Sequence, residues 1–183
     1  MSVKIRSLTT IALMGAVVCI LGPFVIPLGI IPLNFTGIGI YLAAFLIGGR
    51  KGAAVSFLYL LIGLIGFPVF SGFTSGPGKL LGPTGGYLLA YLPASYLTGK
   101  LCEIIYPWDK KRKGTSICYF FVFTMGNLLL YICGSLWLSY STNISMYEAV
   151  QLGVFPFLVT DGIKNMITVF LGRRIKRGIE KFF

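Results

Sequence analysis

The strongest constraint on this chain is its series of apolar runs, each long or nearly long enough to cross a bilayer and each bounded by cations or by glycine and proline. Six can be drawn: about Ser7 to Val25, Asn34 or Thr36 to Gly48, Gly52 to Ile65, Pro83 to Glu103, Thr115 to Tyr140 and Glu148 to Leu171. Backbone groups in lipid must be satisfied within the structure, so such runs fold as helices. The second and third fall short of the ~20 residues of a perpendicular span, which implies local thinning or cover by neighbouring helices. Only here does composition matter: 56% hydrophobic, 11% charged and a mean hydropathy of +0.85 over 183 residues exclude a soluble domain. The expected fold class is an all-α membrane protein with six transmembrane helices in one domain over residues 1–183. The basic, then apolar, start MSVKIRSLTTIALMGAVVCILGPF is like a signal peptide, but it has no clear small-x-small cleavage site and reads as the first helix.

Charge placement gives an orientation. Six spans put both termini and the second and fourth loops on one side, and every one of the 16 basic residues falls there except Lys79 and Lys164. That side is expected to be the cytoplasm, with the chain multi-pass in a cell membrane. The net charge of +11 is thereby explained without nucleic acid as a partner.

Between the third and fourth runs lies GFPVFSGFTSGPGKLLGPTGGYLLAY, Gly66 to Tyr91. Its glycines admit positive φ and its prolines fix φ and remove donors, so it reads as a shaped loop and not a helix. It is expected to fold over a cavity mouth as a lid and to enter the next helix at Gly82-Pro83-Thr84. Thr84 offers a hydroxyl, Gly85 and Gly86 offer backbone N–H groups at a helix start, and Lys79 is either a partner for a carboxylate or a solvated lysine. Phe70, Tyr87 and their aromatic neighbours either pack as an interfacial belt or line a flat apolar ligand.

Asp161 and Lys164 lie inside the last run. Each costs roughly +2.5 to +3.5 kcal/mol if it faces lipid, so both are expected to face the bundle interior, and a spacing of three puts them on one helix face. They form either a self-neutralising ion pair or an anchor for a polar ligand. Asn127, with Tyr131 one turn on, either bonds to another helix or touches the ligand. Asn34 and Thr36 read as helix caps that also face the cavity mouth. The pair Ala12 and Ala16, and equally Ala90 and Ala94, are four apart and permit close helix approach. Cys19, Cys102, Cys118 and Cys133 show no CxxC pairing and there is no histidine, so neither a disulfide framework nor a metal site is expected. No P-loop, G-x-S-x-G or HExxH occurs, and Asp161 is the one acidic residue deep in a span.

LIGLIGFPVFSG followed by LLGPTGGYLLAY resembles the signature of the BioY family, the biotin-binding S components of energy-coupling-factor transporters. The likeness extends to the basic start with A-x-x-x-A, the proline-bounded first outer loop, GPTGGY and the Asp161-Gly-x-Lys164 element. The resemblance implies a six-helix S component, both termini cytoplasmic, that binds biotin near the outer face and needs no cofactor. It implies partners as well: a transmembrane coupling protein docking at Ala12 and Ala16, two cytoplasmic ATPases, and membrane lipid. Biotin offers a cyclic urea with two N–H donors and one carbonyl, an apolar ring and an anionic tail. Asp161 suits the ureido N–H groups, Asn127 or Lys164 its carbonyl, Phe70 and Tyr87 the rings, and Thr84, the glycine N–H groups or Lys79 the tail. The competing expectations are an S component for another vitamin, an intramembrane lipid-modifying enzyme with Asp161 as base, and a channel or structural subunit.

Overall fold

The computed structural model describes residues 3–26, 33–109 and 114–182. Its helices are α1 (Val3–Leu21), α2 (Thr36–Ile47), α3 (Gly49–Leu64), α4 (Pro77–Leu81), α5 (Gly85–Asp109), α6 (Ser116–Thr142), α7 (Met146–Gly153) and α8 (Phe155–Phe182). Two short antiparallel strands, β1 (Val25–Ile26) and β2 (Leu33–Asn34), pair Val25 with Asn34. The basic connector Lys110 to Lys113 and the first-loop prolines Pro27 and Pro32 lie outside the described residues.

By length and composition, two stretches are sufficient to cross a membrane, Ser116–Thr142 and Met146–Gly178; Ile5–Leu21 and Thr36–Ile47 are apolar but shorter. The all-α architecture matches expectation, and three local readings are corrected. The glycine-rich loop contains a helical turn, α4, because Gly76 takes φ 86 and Pro77 fits the first helical position. Pro83 stands just before α5, whose first turn is reached through Gly85 N–H donating to Gly82 O at 2.9 Å. The last apolar run, sufficient in length to span, is two helices and not one, for a reason that matters to the site.

α5 is the central element, packed against α2, α3 and α6; α1 lies on α2 and α3, and α8 on α2 and α6. Close packing of α3 on α5 requires glycine: a Cβ on Gly99 would stand 2.5 Å from Gly49 Cα. The core is aromatic, with Tyr41 stacked on Phe123 at 5.4 Å and Phe45 edge-on to Tyr119 at 4.8 Å. Glu103 of α5 accepts the Gly49 N–H at 3.0 Å, placing an anion at the start of α3, where the helix dipole favours it. At the far end of α5, Asp109 pairs with Arg173 of α8 at 2.6 Å.

The two alanine pairs separate cleanly. Ala90 and Ala94 are buried in the bundle, whereas Ala12 and Ala16 are exposed on α1, with Gly15 turned inward against Leu58.

Candidate functional site

Pro156 is where the site begins. It has no N–H for the carbonyl of Leu152, and the next donor, Phe157 N–H, turns to Val154 O at 2.9 Å. The helix therefore breaks after Gly153, and Gly153 O, freed from the ladder, accepts the Tyr87 hydroxyl at 3.1 Å. Tyr87 reaches it by lying against Gly134 of α6, where any Cβ would be 2.2 Å from the ring. A proline, a glycine and a tyrosine thus join α5, α6 and the α7–α8 break around one small space.

That space is a cavity of ≈ 60 Å³. Asp161 and Lys164 of α8, Tyr131 of α6, Tyr87 and Tyr91 of α5, and Asn34 supply its polar lining; Leu130, Gly153 and Phe157 complete it. Both oxygens of Asp161 are engaged: Tyr131 donates its hydroxyl to Oδ2 at 2.7 Å, and Lys164 donates to Oδ1 at 2.8 Å. The pair is largely withdrawn from solvent, with 16% of the Asp161 side chain and 13% of the Lys164 side chain accessible. On the opposite wall, Asn34 accepts from the Tyr91 hydroxyl at 3.4 Å and donates to Ser71 Oγ at 3.1 Å. An ionised carboxylate has about four lone-pair positions and an ammonium three protons, so Asp161 retains acceptor capacity and Lys164 retains donors. The arrangement can hold a neutral group that presents N–H and C=O side by side.

Of the residues expected from sequence, Asp161, Lys164, Tyr131 and Tyr87 come together here. The others are placed elsewhere. Asn127 is buried, but its amide donates to Asn165 Oδ1 at 3.3 Å in a polar link between α6 and α8. Phe70 is fully buried against Tyr59, ring centroids 5.5 Å apart, because Gly63 leaves room for it. Thr84 and Gly85 do not line the cavity: the Thr84 carbonyl accepts Leu88 N–H, and the Gly85 N–H is taken by Gly82 O. Lys79 is half-buried on α4, with no ion pair among the described residues. Thr36 is fully buried in the first turn of α2, and the cap position before it is Phe35, with no side-chain cap from Asn34 or Thr36.

The profile of the BioY family matches residues 1–181. The chain belongs to the BioY family. A relative in Lactococcus lactis, the biotin transporter BioY2, is 36% identical over 97% of this chain and 93% of its own length. A second Lactococcus lactis biotin transporter, BioY, is 33% identical over 98% of this chain and 96% of its own. Among solved structures, the crystal structure of the S-component for biotin from an ECF-type ABC transporter superposes with a TM-score of 0.85. It is 28% identical and the match covers 97% of this chain and 95% of that one. Like its relatives, this BioY-family chain is a membrane protein, and its all-α bundle is the S-component fold.

Sequence reasoning underrated Asn34 and Tyr91. Asn34 reads as a cap because it precedes an apolar run, and Tyr91 reads as one aromatic among many; only the pairing of β2 with β1 and the packing of α2 on α5 bring them face to face.

Proposed function

We propose that this chain is the biotin-capturing S component of an energy-coupling-factor transporter, active in biotin uptake and without catalysis of its own. The observation that carries the reading is the buried Asp161–Lys164 pair opening on the cavity of a BioY-family chain whose relatives are named biotin transporters. In this reading Asp161 accepts from the ureido N–H groups, Lys164 donates to the ring carbonyl, and Tyr87, Tyr91 and Phe157 wall the apolar rings. Charge-assisted hydrogen bonds of this kind are roughly twice as strong as neutral ones, which suits capture from dilute solution.

A cavity of ≈ 60 Å³ holds a few waters, whereas small-molecule sites run to about 300–1,000 Å³. Biotin entry therefore displaces side chains, and where Asn34 is among them its hydrogen bond to Ser71 couples the displacement to the Gly66 to Gly82 loop. The proposal extends to six spans in one domain, both termini cytoplasmic, as charge placement supports, and to association with a transmembrane coupling protein and two ATPases that power release. Ala12 and Ala16 provide the docking stripe.

Titration of the purified chain with biotin, riboflavin and thiamine tests the reading. Saturable binding of biotin alone is the expected result; no biotin binding, or equal binding of another vitamin, overturns it.

A further inference from the structure

A groove runs along the flank between α6 and α8, and its two halves meet at Ser116 and Phe170. One half, ≈ 450 Å³, is apolar, lined by Ile117 and Phe120 of α6 and Met166 and Val169 of α8. The other, ≈ 590 Å³, is cationic, lined by Arg173, Arg174, Arg177 and Gly178. On α8 these residues form one stripe, since Met166, Phe170, Arg173 and Arg177 recur three to four apart. The change from apolar to basic is complete within one turn.

The three arginines are not equivalent. Arg173 is committed to the fold, donating to Asp109 at 2.6 Å and also to Ser116 Oγ. Arg174 and Arg177 are exposed, and among the described residues no carboxylate pairs with either. The amino terminus of the 27-residue helix α6 adds its partial positive charge at the junction.

We propose that this groove binds an anionic phospholipid of the surrounding bilayer, its acyl chain along Phe120, Met166 and Phe170 and its phosphate between Arg174 and Arg177. Three features select that ligand. The groove is amphiphilic along its length, with a sharp boundary like that between glycerol and acyl chain. Its lining residues Ile117, Met166 and Phe170 are exposed and apolar, so the upper half opens toward lipid. Below the boundary the two arginines of the lining that pair with no carboxylate among the described residues, Arg174 and Arg177, are both positive, which favours an anionic over a zwitterionic headgroup. A soluble phosphate or an acidic peptide would satisfy the arginines and leave the apolar half uncovered.

The test is native mass spectrometry of the full-length chain in detergent, supplied with phosphatidylglycerol or with phosphatidylcholine of matched acyl chains. Phosphatidylglycerol is expected to be retained in preference. The double variant R174Q/R177Q should weaken that retention roughly thirtyfold, at one basic residue's attraction for each of the two. R174K/R177K should largely keep it, and the control R50Q/K51Q, at the start of α3, should leave it unchanged. Should the glutamine variant fail to fold, the wild type still decides, since raised salt must release phosphatidylglycerol and spare phosphatidylcholine. Equal retention of the two lipids, equal loss in the control, or equal binding of soluble glycerol phosphate overturns the proposal. So does a variant that retains lipid but no longer associates with a protein partner. None of these readouts depends on which vitamin the cavity takes.

Discussion

Asp161 is the one carboxylate deep within α8, and its two oxygens are held by different elements, Tyr131 on α6 and Lys164 one turn along α8. Removing its charge leaves Lys164 buried without its counter-ion. The two charge-assisted hydrogen bonds that the carboxylate would give the ureido group are worth about 1.5–3 kcal/mol each, so their loss weakens binding by more than about a hundredfold. Asp161→Asn is accordingly expected to remain folded by thermal melting and to lose biotin affinity by that factor in calorimetric titration. Gly134→Ala tests the opposite wall: a methyl placed 2.2 Å from the Tyr87 ring forces the ring away from Gly153. Overpacking of this kind costs about 1–3 kcal/mol, to be read as a lowered melting temperature together with weaker biotin binding. At this scale the sequence was legible where lipid makes a residue expensive, as for Asp161 and Lys164. It was less so where an ordinary residue acquires its role from a partner far along the chain. Phe70 and Tyr87 read alike, both aromatic in a glycine-rich setting, yet Gly63 admits one into the core and Gly134 admits the other beside the cavity.

Among the elements, the α7–α8 break has the largest effect on the site. Hydropathy runs straight through it, so the apolar pattern alone reads as one span. The separation into two helices depends on where the freed carbonyl finds its donor, a tertiary fact. Replacing Pro156 by Ala restores an N–H at that position and lets the helix close, so Phe157 N–H competes with Tyr87 for Gly153 O. Melting temperature should hold or rise while biotin affinity falls about fivefold, the worth of roughly one hydrogen bond; unchanged affinity would separate the break from the site. At the start of α3, Glu103→Ala removes the acceptor of the Gly49 N–H. A lost acceptor at a helix start is worth about 1 kcal/mol, so the melting temperature should drop by a few degrees with biotin affinity intact. The long helices, by contrast, are readable, because apolar length and glycine–proline punctuation are local properties; α4 is not, because its single turn lies among residues that elsewhere break helices.

For the molecule as a whole, the prediction that matters most is the orientation. With cysteines placed singly at Lys51 and at Ser75 in a cysteine-free background, a membrane-impermeant thiol reagent applied outside cells should label position 75 and spare position 51. The reverse pattern would invert the topology. Ala12 and Ala16 are exposed whereas Ala90 and Ala94 are buried, a distinction hidden from sequence because both pairs share one spacing. If the proposed docking stripe is real, Ala16→Trp should spare biotin binding in titration and abolish co-purification with the proposed coupling protein. The amide of Asn34 is shared between the loop at Ser71 and the wall at Tyr91. It is the fastening that ties the loop to the cavity lining, beside the buried Phe70 ring and the Gly72 N–H bond to Pro23 O that hold the loop to the bundle. A fastening of that sort sets the tempo of exchange more than its balance: with Ser71 changed to Ala, vitamin should arrive and depart faster while the ratio of the two rates stays nearly the same.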